Sequence, residues 1–224
     1  MSVFETAISL LAPPDCLACA AEGSVLCQTC SADFIKPFGQ RCWRCNRLSL
    51  GSKTCQSCRR TGGLGRVWIS TTYERIAQEL VQVYKFGHLR AAAEPIARLM
   101  TEALTEGSPN YLIVPVPTAT SRTRQRGFGH SELLAKTIAY RLKLPRGQVL
   151  RRLGQSRQLG STRRDRLEQM EGQFVVKSPD LVKGRKILLI DDVLTTGGTL
   201  IAAARSLRAA GAAQVDALVF AKRL

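Results

Sequence analysis

One stretch of fourteen residues limits the possible folds more than any other: Lys186, four aliphatic residues, Asp191, Asp192, Val193, Leu194, Thr195, Thr196, Gly197, Gly198 and Thr199. The run 187–190 is aliphatic without alternation, as a strand buried on both faces must be, and both faces are covered mainly in parallel sheets flanked by helices. Two acids follow, then a turn of hydroxyls and glycines, then helical spacing over 199–210. Successive backbone N–H groups in such a turn, with the positive end of the next helix, make a cradle for a dianionic phosphate. Thr195, Thr196 and Thr199 add hydroxyl donors, while Asp191 and Asp192 would repel phosphate. Carboxylates at that distance can instead accept hydrogen bonds from ribose hydroxyls and help position hydrated magnesium. The pattern therefore asks for a sugar that carries a phosphate. No GxxxxGK[ST] occurs and no GxGxxG follows a strand, which sets aside nucleoside triphosphatases and dinucleotide-binding enzymes. A purely structural turn is disfavoured, because paired acids at a strand end are costly without a ligand.

The rest of the carboxy-terminal part alternates in the same way. Strands are predicted to open at Val67, to span 111–116 and to close over 215–220, with helices over 74–86, 90–106 and 131–142. The fold class is α/β, a largely parallel sheet with helices on both faces, whose ligands gather at the carboxyl ends of the strands. Two loops stand at such ends: 115–129, beginning Pro115, Val116, Pro117 and Thr118, and 191–198.

All eight cysteines lie between Cys16 and Cys58, as Cys16/Cys19, Cys27/Cys30, Cys42/Cys45 and Cys55/Cys58. Four CxxC knuckles fit two closed tetrahedral thiolate sites, hence two structural zinc ions. Pairing in chain order is expected, although interleaved pairing fits the sequence too. Disulfides are disfavoured, because the early apolar run 3–11 has no preceding Lys or Arg. This region is short in aliphatic residues, so metal rather than a core of its own should hold it. The expected organisation is a zinc-ribbon module over 1–60, a linker over 61–66 and an α/β domain over 67–224.

Lysine and arginine number 33 against 17 acids, a formal balance of +16 that attracts polyanions. Eight thiolates and two zinc ions contribute about −4, so a charge of about +12 remains. Arg122, Arg124 and Arg126 follow the Pro115–Thr118 turn, where guanidinium forks suit phosphate oxygens. Six arginines crowd 151–166, among them Arg157, Arg163, Arg164 and Arg166, and read as a mobile basic loop that closes over a phosphorylated ligand or tracks a nucleic acid strand. Solvated basic faces remain the alternative for both groups. Tyr84 and Phe86 follow the apolar face of a helix and are expected in the core, which leaves Phe128 for stacking on a base. Arg41, Trp43, Arg44 and Arg47 could touch nucleic acid from the third knuckle, or serve structure alone. His88 and His130 neighbour no Ser, Cys or acid in a catalytic pattern. No stretch approaches the ~20 apolar residues of a membrane span, so a soluble cytoplasmic protein without an integral membrane segment is expected.

The strand, acids and threonines at 186–199 resemble the phosphoribosyl-pyrophosphate (PRPP) loop of type I phosphoribosyltransferases. That resemblance implies that Asp191 and Asp192 bind the ribose hydroxyls, that Val193, Leu194, Thr195, Thr196, Gly197, Gly198 and Thr199 wrap the 5-phosphate, and that Pro115, Val116, Pro117 and Thr118 form the pyrophosphate loop, with magnesium accompanying PRPP. Four CxxC pairs followed by Tyr84-Lys85-Phe86-Gly87, Pro115-Val116-Pro117, Arg126-Gly127-Phe128 and the arginine-rich stretch resemble the ComF/GntX family over nearly the whole chain. The sequence departs from that pattern at Gly129 and His130, where Asn and Gln are expected, and at Gln169, where Asn is usual. The resemblance implies a double zinc ribbon, a role in handling single-stranded DNA during natural transformation, and a competence helicase as a partner. Two other readings remain open: a working magnesium-dependent transferase whose acceptor the sequence does not name, and a PRPP-sensing adaptor without DNA contact.

Overall fold

The computed structural model describes residues 13–87, 89–104, 110–118, 128–153 and 173–224, except for the side chains of 60–62. In chain order the described elements are α1 (Gln28–Phe34), α2 (Gln56–Gly62), β1 (Val67–Thr72), α3 (Arg75–Lys85), α4 (Ala93–Glu102), β2 (Tyr111–Pro115), α5 (His130–Leu142), β3 (Leu150–Arg152), β4 (Phe174–Val176), β5 (Lys186–Leu194), α6 (Gly198–Ala209) and β6 (Gln214–Lys222). β1, β6, β5 and β2, in that order, form a sheet in which every pair of neighbours is parallel.

The sheet is covered on both faces. Ala77, Leu80, Val81 and Tyr84 recur at helical spacing on α3 and pack with α4, α5, Leu188 and Ile190 on one side. Leu200, Ala203, Ala204 and Leu207 of α6 pack with Ile187 and Leu189 on the other. The helix after β2 therefore lies on the opposite face from the helix after β5. Two adjacent strands whose chains leave in opposite directions open a crevice at their carboxyl ends, where ligands of such sheets bind.

Several expectations for the sheet and its helices need correction. The strand expected over 186–190 runs on to Leu194, because β6 continues the ladder alongside it through Val193↔Ala221 and Leu194↔Lys222. The acids are thus strand residues, not loop residues. The helix expected from residue 90 begins as a 3-10 turn, Arg90–Ala92, with regular helix from Ala93 and Pro95 in its first turn, where a missing N–H costs nothing. Phe86, expected in the core, lies just past the end of α3 and is 62% exposed.

The amino-terminal region is built into this domain. Phe38 N–H donates to the Ser70 carbonyl, and Thr71 Oγ1 donates to the Lys36 carbonyl, so the chain lies along the outer edge of β1. This covers a strand edge that would otherwise present unpaired backbone groups. Before the crossing, Val25, Leu26 and Ile35 join the apolar cluster on the α3–α5 side. After it, Phe38 and Trp43 join the α6 side. Asp216, fully buried, ties the segment before β1 to the sheet: its carboxylate accepts from the Arg66 N–H at 2.7 Å, from Gln214 Nε2 at 2.6 Å and from the Tyr111 hydroxyl. A buried carboxylate is tolerable here because three donors satisfy it.

Arg151 and Arg152, read from sequence as the start of a loop, belong to β3, which pairs antiparallel with β4. The residues joining these strands, 154–172, lie outside the described residues.

Candidate phosphate site and metal centres

The cysteine sulfurs fall into two sets in chain order, Cys16, Cys19, Cys27 and Cys30, and Cys42, Cys45, Cys55 and Cys58, each within 4.8 Å of one another. No disulfide joins them. Cys19 Sγ lies 3.9 Å from Cys27 Sγ, and Cys45 Sγ lies 3.6 Å from Cys55 Sγ. Four thiolates around zinc at about 2.3 Å define a tetrahedron of edge about 3.8 Å, so both sets fit the ion. Their proton affinities point the same way. Burial works against the Cys16 thiolate, but the N–H groups of Cys27, Ala18 and Cys19 outweigh it and bring the thiol down to about 6. The Ser57 hydroxyl and then the Cys58 N–H bring Cys55 down to about 6. Burial first, then the Cys55 and Cys45 sulfurs, pushes Cys58 up to about 12, and Cys30 is pushed up chiefly by the sulfurs of Cys19 and Cys27. Four crowded sulfurs cannot all ionise unaided, and a dication supplies the missing charge.

At the carboxyl end of β5 the apolar alternation shifts phase. Leu188 and Ile190 face the α3–α5 side, yet so does Val193, while Leu194 packs with Ile187 and Leu189. Both intervening carboxylates find partners on α3 and α5. Asp192, nearly buried, takes a salt bridge from Lys85 at 2.5 Å. Asp191, half-buried, accepts from Ser131 Oγ at 3.1 Å and from the Asp192 N–H at 3.0 Å. Burial, and then the charge of Asp192, pushes Asp191 up to about 7 against the pull of Lys85, the Asp192 N–H and Ser131.

The turn that follows leaves Thr195 and Thr196 exposed and Gly197 buried. Gly197 sits at φ 79° as the N-cap of α6, so no side chain caps this helix, and no acid stands in its first turn. An uncapped helix start keeps its orphan N–H groups and its positive end for an anion. Pro115 and Val116 are buried and Pro117 and Thr118 half-buried at the end of β2, beside β5. The turns expected to hold ribose phosphate and pyrophosphate thus leave adjacent strands at the same end of the sheet.

Other expected residues fare differently. Arg122, Arg124, Arg126, Arg157, Arg163, Arg164 and Arg166 lie outside the described residues. Phe128 is half-buried against Tyr84 and His130, with the Arg90 guanidinium 5.1 Å from its ring centroid. Trp43, considered for nucleic acid contact, is 2% exposed and packs inward against Gly197. A cavity of about 450 Å³ lies between α1 and α4, lined among others by Ser31, Gln40, Ser70, Arg98 and Glu102. None of the expected ligand residues lines it. Lys85, Ser131 and the inward role of Trp43 were missed as site features, since each contact joins residues far apart in the chain.

Sheet, crevice and turn together define a phosphoribosyltransferase-type domain, and residues 129–224 match the family described as phosphoribosyl transferase domain. Over a longer span the chain is 31% identical to competence protein ComFC of Bacillus subtilis strain 168, covering 84% of this chain and 80% of that one. It is 28% identical to competence protein ComFC of Streptococcus pneumoniae strain R6, covering 87% and 86%. The chain belongs to the ComF family. Among solved structures, glutamine PRPP amidotransferase from B. subtilis complexed with ADP and GMP aligns at 17% identity with a TM-score of 0.41, over 57% of this chain and 26% of that longer one. No helix among the described residues is long and apolar enough to cross a membrane.

Proposed function

We propose that the chain is a single-stranded-DNA-handling protein of natural transformation, whose phosphoribosyltransferase-type domain binds PRPP or another 5-phosphorylated ligand in the cytoplasm. The observation that carries this reading is the start of α6: a glycine N-cap at φ 79°, no acid in the first turn and two exposed threonines, directly after the acid pair. Residues 193–199 would hold the 5-phosphate, Asp191 and Asp192 would face the sugar and its magnesium, and Pro115, Val116, Pro117 and Thr118 would face the pyrophosphate. The DNA part rests on the competence proteins to which the chain is similar and on the formal +16 charge. Arg122, Arg124, Arg126, Arg157, Arg163, Arg164 and Arg166 would contact phosphate or the DNA backbone. Zinc in both cysteine sets would fix the amino-terminal fold.

The test is a titration of a single-stranded oligonucleotide with and without magnesium PRPP at two salt concentrations. Backbone contacts by several cations predict a loss of tenfold or more between about 50 and 200 mM salt. Asp191→Ala with Asp192→Ala should abolish PRPP binding while leaving the salt-dependent term. No oligonucleotide binding even at the lower salt would refute the DNA reading, and no PRPP binding by the wild type would refute the site.

The pH dependence follows from Asp191. Its ordinary value is 3.8 and in the fold it is about 7, so between these values the native chain holds a proton that the unfolded chain lacks. The stability from this group is greatest at low pH and falls as pH rises towards 7. Ribose hydroxyls and magnesium need the anion, so PRPP must expel that proton. PRPP affinity is expected to rise with pH by up to about tenfold per unit below 7 and to level off above it. Calorimetry from pH 5.5 to 8.5 reads this, with Asp191→Asn as the control for protonation of the ligand itself. An identical slope in that variant would show that Asp191 plays no part.

A further inference from the structure

Trp43 stands between the second cysteine set and the phosphate turn. Its ring lies against Gly197 so closely that a Cβ added there would come within 2.3 Å of Cζ3 and 2.9 Å of Cη2. The indole N–H donates to Thr54 Oγ1 at 3.0 Å in a buried bond. Trp43 follows Cys42 directly, and Thr54 directly precedes Cys55. The indole is therefore pinned by both halves of one set of four cysteines, and its ring forms the underside of the turn before α6.

The far side of that turn is fixed by the sheet. The Arg223 N–H donates to the Leu194 carbonyl at 2.9 Å, and Leu194 pairs with Lys222. The Lys222 ammonium lies 5.1 Å from the Phe38 ring. The turn 195–197 thus spans two supports, the end of β6 and the Trp43 indole. The indole support depends on how Cys42 and Cys45 are held relative to Cys55 and Cys58.

We propose that Trp43 is a positioning residue for the phosphate turn, and that metal in the Cys42, Cys45, Cys55 and Cys58 set tunes affinity for the phosphorylated ligand through it. This deepens the preceding reading and rests on it. A cradle of backbone N–H groups works only when the groups converge on one point, and a shift of about 1 Å in such a site can cost about a hundredfold. Metal that brings the two knuckle halves together holds the indole, and the indole holds Gly197 at its positive φ. Linkage makes the effect reciprocal: ligand on the turn tightens metal in this set. The Cys16, Cys19, Cys27 and Cys30 set, which packs with the α3–α5 cluster, has no such contact with the turn among the described residues, so its metal should be indifferent to the ligand.

The experiment uses the full chain with both sets zinc-loaded. Magnesium PRPP binding is measured by calorimetry for the wild type, Trp43→Phe, Trp43→Ala and Thr54→Val. Trp43→Ala is expected to weaken binding by about 30- to 100-fold, Trp43→Phe and Thr54→Val by about three- to tenfold. Thr54→Val removes the indole's partner and leaves every cysteine in place, so it decides the matter if Trp43→Ala fails to fold. In competition against a chromogenic chelator, PRPP should protect one of the two zinc equivalents in the wild type and neither in Trp43→Ala. Wild-type PRPP affinity retained in Trp43→Phe and Thr54→Val, or equal protection of both zinc ions, overturns the proposal. No PRPP binding by the wild type overturns the site reading beneath it.

Discussion

Gly197→Ala is expected to lower affinity for magnesium PRPP by about a hundredfold, close to the loss from misaligning a preorganised site by 1 Å. Two separate costs meet at this residue. The first is conformational, since a φ of 79° is open to glycine at no cost but charges an L residue roughly 1–2 kcal/mol. The second is steric: the added methyl would stand 2.3 Å from the Trp43 ring, far inside contact distance. A flexible side chain could step aside, but this indole is buried and hydrogen-bonded to Thr54. The turn itself must move, and with it the N–H groups that start α6.

A second glycine separates the two costs. Gly184 has a similar φ of 71°, with no atom within 4 Å of an added Cβ. Gly184→Ala should therefore show only the conformational cost, about 1–2 kcal/mol in chemical denaturation, with PRPP affinity unchanged. Calorimetry and denaturation on both variants read the difference. Equal PRPP affinity in Gly197→Ala and wild type would mean that the turn does not contact the phosphate.

How far the sequence disclosed this molecule depends on whether local or distant neighbours decide a residue's role. The unbroken aliphatic run before Asp191 announced a strand buried on both faces, and the spacing of Ala77, Leu80, Val81 and Tyr84 announced a helix face. Both are local periodicities. The grouping of the cysteines was readable because each CxxC knuckle is itself local, and the expected pairing in chain order is the one the fold shows, although spacing alone also admits interleaving. What escaped is what the fold brings from far away. That β5 continues through the acids depends on β6 lying alongside, and nothing in residues 191–194 signals it. Trp43 reads as a surface aromatic among Arg41, Arg44 and Arg47, because in sequence its neighbours are charged. Only the packing of the knuckle on α6 reveals that it faces inward. Lys85 was visible as part of a family-like motif, but its partner stands 107 residues further on.

That partnership gives the largest stability effect expected in the domain. Lys85 Nζ and Asp192 Oδ1 are 2.5 Å apart, with 18% and 9% of their side chains exposed. Removing one member of such a pair strands the other charge in a poor solvent, at about 3–5 kcal/mol, whereas replacing both by neutral groups is often close to neutral. Lys85→Met keeps most of the side-chain volume and should cost that amount in denaturation at neutral pH. The loss should shrink as pH falls, because a proton on the carboxyl pair is the least costly relief, and Lys85 is also one of the groups holding Asp191 down. Lys85→Met combined with Asp192→Asn should recover most of the stability. PRPP binding should not recover with it, since the carboxylate assigned to the sugar is then gone. That split distinguishes a ligand-binding acid pair from a merely structural ion pair: if the double variant regains PRPP affinity along with stability, Asp192 serves the fold alone, and any contact with the sugar falls to Asp191.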